Sequence, residues 1–235
     1  MNHHSPYRLR EAVEAISPDI KARADVGPRD HEERSLWWEL SCCLLSSQVP
    51  FDLAVAAADR IDTEGLLWTQ TGCAASFAND IEALLRYPFE VDGRMRHYRF
   101  PTSRGRQLAE THSRVTSCFG SLGGLLSRYA DANDARQWLV AHSPGIGPKQ
   151  ASMFLRNIGH SYDLAVLDRH VATYMSALGI EMPGRIASGL TGYMRREQAL
   201  RSHAKDLGLS VGLMDWAIWI VMRVAKNTIA EPSRA

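Results

Sequence analysis

The tetrapeptide Pro144-Gly145-Ile146-Gly147 constrains this chain more tightly than any other stretch of it. It separates DARQWLVAHS (134–143) from PKQASMFLRNIG (148–159), and each flank reads as a helix. In the second flank Ala151, Met153, Phe154 and Ile158 recur at helical spacing and define an apolar face. Gly145 and Gly147 can both take φ > 0 at no steric cost, so the chain reverses tightly between the helices. Pro148 then suits the first helical position, with φ preset and no N–H to waste. A turn of this kind gathers backbone N–H groups at a helix N-terminus, which suits a phosphate. Lys149 follows at once, on the first turn of that helix. Asp168 comes nineteen residues later in Leu167-Asp168-Arg169-His170, where it reads as the N-cap of a third helix. A lysine and an aspartate beside a phosphate-binding turn suggest a nucleophile and its electrostatic partner acting on a nucleic-acid backbone. A non-catalytic DNA-binding module would use the same hairpin, with the lysine simply solvated.

Around this segment the chain reads as all-α. Helices are predicted over 6–17, 30–46, 51–62, 76–86, 103–118, 120–130, 134–142, 148–158, 169–178, 195–207 and 211–226, and no stretch alternates as a strand should. Pro50, Gly65, Pro88, Gly93, Pro101, Gly120 and Pro183 fall between these segments. At 235 residues there is room for one large domain or two small ones sharing a cleft. A composition of 45% hydrophobic and 23% charged residues is that of a globular protein, which excludes a disordered chain. No apolar run approaches the roughly 20 residues of a membrane span. The start, MNHHSPYRLREAVEA, lacks the apolar core of a signal peptide. The expectation is a cytoplasmic protein, nucleoid-associated in a prokaryote, with no membrane partner.

A net charge of +1 does not advertise nucleic acid, but the distribution of charge does. Arg94, Arg96, Arg99, Arg104, Arg106 and Arg114 crowd one region, with His97 and His112 among them. Arg185, Arg195, Arg196, Arg201 and Lys205 form a second group. A solvated helix face accounts for either group. Beside the hairpin they become candidate phosphate contacts, Arg99 and Arg104 first, of the kind that orient a protein on DNA without reading sequence. Cys42, Cys43, Cys73 and Cys118 show no metal-ligand spacing, and the adjacent pair lies in an apolar run that reads as reduced core. The nine histidines form no metal motif, so neither a metal nor a cofactor is expected. Only the tail IAEPSRA reads as disordered.

The hairpin, lysine and aspartate together resemble the helix–hairpin–helix DNA glycosylases. The run KQASMFLRNIGHSYDLAVLDRHV looks closest to the small archaeal-type class of 8-oxoguanine DNA glycosylase/lyases. YRFPTSRGRQLAE (98–110) and LMDWAIWI (213–220) are similar to segments of that class, so the likeness covers roughly residues 35–222. The resemblance implies two helical subdomains flanking a DNA-binding cleft, here 1–47 with 166–235, and 48–165 with its helix–hairpin–helix at 134–159. It makes Gly145, Ile146 and Gly147 the backbone-binding hairpin, Lys149 the Schiff-base lysine and Asp168 the catalytic aspartate. Gln48, after the apolar helix LWWELSCCLL, matches the residue that fills the gap left by a flipped base; a helix-terminal residue bonding a free carbonyl is the equal alternative. Asp215 matches a base-contacting carboxylate and Trp219 a base-stacking aromatic, with Trp37 and Trp38 as further walls and Trp216 as core. Some relatives in the superfamily hold a four-cysteine iron–sulfur cluster near the C-terminus, but no cysteine follows Cys118 here. Members of the class end in a lysine shortly after the aromatic, whereas this chain runs on through Lys226 to Ala235.

The implied activity is base excision with an associated lyase step on double-stranded DNA by a monomer, the excised base being 8-oxoguanine-like. The same chemistry on another modified base, such as a modified pyrimidine in foreign DNA, is the alternative within the class. A non-catalytic helix–hairpin–helix protein is the alternative outside it.

Overall fold

A computed structural model describes residues 6–24, 32–68, 74–180 and 189–230, the side chains of 74, 75 and 225–230 excepted. Cys73, Arg185, Pro183 and the tail from Ile229 to Ala235, all singled out above, lie wholly or in their side chains outside that description. The described residues form α1 (Pro6–Ala24), α2 (Glu33–Leu45), α3 (Phe51–Thr63), α4 (Ala74–Arg86), β1 (Phe89–Val91), β2 (Arg94–Arg96) and α5 (Pro101–Phe119). There follow α6 (Leu122–Arg128), α7 (Ala132–His142), α8 (Pro148–Asn157), α9 (Arg169–Ala177), α10 (Leu190–Asp206) and α11 (Val211–Ala230). Among the described residues no single helix is long and apolar enough to cross a membrane.

Each predicted helix has its counterpart, because an apolar stripe at period 3.6 bounded by Pro or Gly leaves the backbone little choice. Two departures have local causes. α1 runs past Pro18 to Ala24, although proline removes a helical hydrogen bond. The far side of the break is held down by Ile20, which is buried in the same core as Leu9 and Val13. A two-stranded antiparallel hairpin also stands where no strand was predicted, with Phe89 opposite Arg96 and Val91 opposite Arg94. Its turn is Asp92-Gly93, with φ of 53° and 68°, the doubly left-handed turn whose twist matches a hairpin.

The chain divides into two compact units, 1–29 with 161–235, and 30–160. In the first, α1, α9, α10 and α11 bury Val13, Leu167, Tyr174, Tyr193, Leu200 and Met214 among others. In the second, α2 is enclosed on nearly every side, with Leu36, Trp37, Leu40, Cys42, Cys43, Leu44 and Leu45 buried, and packs on α3, α5, α6 and α8. That burial places α2 with the central helices, so this unit begins at residue 30 rather than at the 48 read from sequence. Desolvation pushes the Cys42 and Cys43 thiols far up, as suits inert core.

Candidate active site

In the unit 30–160 the glycine hairpin is built by two different backbone conformations. Gly145 is left-handed at φ 84°, but Gly147 is extended, at φ −92° and ψ 178°, and serves as N-cap of α8. Only one of the two glycines therefore uses its freedom to adopt φ > 0. Space accounts for the rest of the demand at 145, because a Cβ there would lie 2.4 Å from Gln107 Oε1. Ile146 anchors the turn with a buried side chain and donates its N–H to Ser143 O at 3.0 Å. That amide is spent inside the turn, which corrects the reading of Ile146 as a phosphate donor. The amides of Gly145 and Gly147 have no partner among the described residues, and those of the first turn of α8 are unpaired by helix geometry.

Lys149 stands half-buried on that first turn behind Pro148. Its amine makes no hydrogen bond or ion pair with any described residue. On the same unit, α2 ends in the turn Ser46–Val49, where Gln48 is exposed and left-handed at φ 63°. For a non-glycine residue that conformation costs roughly 1–2 kcal/mol, so neighbours must impose it. Tyr98 donates its hydroxyl to Leu45 O at 2.7 Å and Arg104 donates Nη2 to Ser47 O at 3.2 Å. Carbonyls at the end of α2 are thus served by Tyr98 and Arg104.

The basic region around this turn separates into exposed and committed members. Arg99 is exposed, with its guanidinium over the Phe100 ring, and Arg94 and Arg106 are exposed as well. Arg104 is buried and also donates Nη1 to Gln107 Oε1 at 2.6 Å, so it does not reach outward for a phosphate as read from sequence. Arg114 pairs with Glu110 and donates to His142 O, while His112 is enclosed by Trp37 and Phe77. Trp38 donates Nε1 to Asp59 Oδ1 at 2.7 Å, which ties α2 to α3.

In the other unit the segment Leu164–Leu167 leads directly into Asp168 and is buried throughout. Its three consecutive amides each meet a buried side chain. Ala165 N donates to Glu197 Oε1 at 2.7 Å, Val166 N to Asp215 Oδ2 at 2.6 Å, and Leu167 N to Tyr193 Oη at 2.9 Å. Tyr193 in turn donates to Ala165 O at 2.7 Å. Gly212 comes close enough to donate to Tyr162 O at 2.8 Å, and a Cβ there would strike that oxygen and Leu164 O. Asp168 emerges from this clamp as the N-cap of α9, its Oδ1 accepting from His170 N at 2.8 Å and Val171 N at 2.9 Å. Its second oxygen accepts nothing from the described residues.

Asp215 is only 1% exposed, and its Oδ2 holds the backbone before Asp168 by accepting from Val166 N. The reason is its position on α11, among Leu213, Met214, Ala217 and Ile218 of the core. Trp219, one turn further on, is exposed at 37%, with the Arg223 guanidinium 4.6 Å from its ring centroid. Trp216 packs against the core of this unit. Glu197 and Tyr193 were missed by sequence reading, although a carboxylate on the stripe Tyr193-Glu197-Leu200-Ala204 of α10 is a signal of buried polar work. In the second basic group Arg196 is buried and Arg201 bonds Asp163, which leaves Arg195 and Lys205 exposed.

Comparison with known proteins points in one direction. A family model described as 8-oxoguanine DNA glycosylase matches residues 24–209. The 8-oxoguanine DNA glycosylase/AP lyase of Sulfolobus acidocaldarius is 36% identical over 136 residues, which are 57% of this chain and 62% of that one. Its counterpart from Sulfurisphaera tokodaii is 28% identical over 233 residues, 95% of this chain and 100% of the relative. The crystal structure of the 8-oxoguanine DNA glycosylase of Thermotoga maritima superposes with a TM-score of 0.68 at 27% identity, covering 92% of this chain and 94% of that one.

Proposed function

The chain belongs to the 8-oxoguanine DNA glycosylase family, and on that premise we propose that it is a DNA glycosylase and lyase whose nucleophile is Lys149. The observation that carries the assignment is the Lys149 amine, set without a partner among the described residues on the first turn of the helix that leaves the glycine hairpin. Amides of Gly145, Gly147 and the α8 terminus bind a phosphate of the damaged strand, which fixes the backbone and leaves the amine to do the chemistry. The neutral amine attacks C1′ of the extruded nucleotide. The N-glycosidic electron pair leaves with the base, which takes up a proton, and the sugar ring opens to a protonated Schiff base. Loss of a C2′ proton then expels the 3′ phosphate and nicks the strand.

Asp168 supplies negative charge to the cationic sugar through the oxygen that the helix cap leaves unused. Its fixed position follows from the clamp on residues 165–167. Gln48 fills the gap in the duplex, and Trp219 stacks on the extruded base, a contact worth about 1–3 kcal/mol for any ring. Stacking alone does not discriminate among bases, so the substrate is assigned as an 8-oxoguanine-like base from the family.

Borohydride reduction in the presence of a duplex containing 8-oxoguanine tests the reading directly. The chain becomes covalently attached to DNA, and Lys149→Gln abolishes attachment, excision and nicking while duplex binding, spread over several phosphates, persists. Excision by Lys149→Gln at the unsubstituted rate would remove Lys149 as the nucleophile. Binding without trapping on any lesion duplex would leave a non-catalytic helix–hairpin–helix protein.

A further inference from the structure

We infer that Arg104 is a positioning residue that locks the Gln48 turn and the glycine hairpin into a single arrangement. This rests on the wedge role proposed for Gln48. Arg104 is 8% exposed, and its guanidinium donates to two partners within the unit 30–160, with the Tyr98 hydroxyl also against it. Nη2 donates to Ser47 O, and Nη1 donates to Gln107 Oε1. The Ser47 carbonyl belongs to the planar peptide whose nitrogen is that of Gln48. Holding that oxygen fixes the plane from which the Gln48 φ of 63° is measured. Val49 N closes the same turn by donating to Ser46 O at 3.3 Å, and the grip on Ser47 O adds to that closure.

The second arm reaches the hairpin. Gln107 Oε1, held by Arg104, occupies the space that a Cβ at Gly145 would enter, and Arg104 Nη1 lies 3.1 Å from that same point. Tyr98, beside the same guanidinium, adds to the arrangement by donating to Leu45 O. Burial and the loss of solvation push its phenol up to about 12, so it remains a donor across the working range. One rigid fork therefore spans from the peptide that aims the wedge to the turn that offers amides to phosphate. Lysine cannot replace it, because a single ammonium on a flexible stem does not present two donors in a fixed plane.

The consequence is specific to steps that need a base extruded. A preformed abasic site has no base to unstack, so nicking there depends less on a correctly aimed wedge. Single-turnover rates are measured on a paired 8-oxoguanine duplex and on the matching abasic duplex for Gln48→Ala, Arg104→Lys and the double variant. Each single variant lowers the ratio of excision to abasic nicking by about tenfold, and the double variant lowers it no further than the worse single one. Equal loss of both rates in Arg104→Lys makes the residue merely structural and overturns the inference. Losses that multiply in the double variant overturn it as well. A ratio unchanged by Gln48→Ala identifies failure of the wedge reading itself, and the inference falls with it. Should Arg104→Lys not fold, Gln107→Met removes the acceptor that orients the guanidinium against the hairpin, and an unchanged ratio together with unchanged duplex affinity is equally fatal.

Discussion

Asp168 shows how one side chain can be structural and chemical at once. Its Oδ1 accepts two amides of α9, which is the ordinary work of an N-cap, while the other oxygen accepts nothing from the described residues. Asparagine caps a helix nearly as well, because the cap needs an acceptor and not a charge. Asp168→Asn therefore keeps its fold and melting temperature but loses turnover by about two orders of magnitude, the typical loss when a group that meets developing charge is removed. Normal turnover accompanied by a collapsed melting temperature would make the residue a cap and nothing more. Lys149 has the opposite character. Its amine makes no hydrogen bond or ion pair with the described residues, and its meaning lies in what approaches it.

At the scale of elements, the same logic separates residues that touch substrate from residues that hold a backbone. The segment 165–167 carries three successive amides in a buried setting, and each is satisfied by a side chain from α10 or α11. Asp215→Leu removes the acceptor of Val166 N, and an orphaned buried amide costs about 1–3 kcal/mol. The expected outcome is a melting temperature lower by roughly 2–10 °C with the set of accepted bases unchanged. A changed base preference at unchanged stability would return Asp215 to the base pocket. The hairpin makes a second case. Gly145→Ala combines a φ of 84° with a 2.4 Å clash on an oxygen that Arg104 holds in place. The strain alone is about 1–2 kcal/mol, and relief of the clash moves either the turn or the Gln107 amide with its Arg104 contact. Gly145→Ala is expected to bind duplex DNA at least several-fold more weakly, as measured by titration at fixed salt. Affinity equal to that of the unsubstituted chain would show that the turn does not carry the phosphate contact. Gly147, extended and cap-like, lacks both constraints, with its nearest neighbour Gln150 Oε1 at 3.2 Å from a built Cβ.

Across the whole molecule, what could be read from sequence follows from how local each signal is. Helices such as α3 and α8 were legible because periodicity and a proline at the start are contained within the element itself. The β1–β2 hairpin was not, since strands of three residues are too short to show alternation, and only Asp92-Gly93 gave a hint. Lys149 and Asp168 stood out through spacing from a turn, whereas the depth of Asp215 and Arg104 depends on which helices pack around them. Histidine burial is non-local in the same way, and it yields a prediction in each compact unit. His112 lies between Trp37 and Phe77 in one unit, and its pKa is lowered by desolvation against opposing pulls from the Leu67 backbone and Glu33. His203, 3.2 Å from Tyr174 Oη in the other, is lowered by desolvation and by the Arg10 charge. A histidine whose folded pKa is depressed stays neutral while its unfolded counterpart takes up a proton near pH 6.5. Below that value the unfolded chain binds more protons, so stability falls as pH drops, and above it neither residue contributes. Urea unfolding at about pH 7.5 and about pH 5.5 isolates this window from that of carboxylates, which titrate lower. The unsubstituted chain loses stability between the two, and His112→Gln combined with His203→Gln reduces the loss. A pH dependence identical in the double variant would show that neither buried ring is coupled to folding.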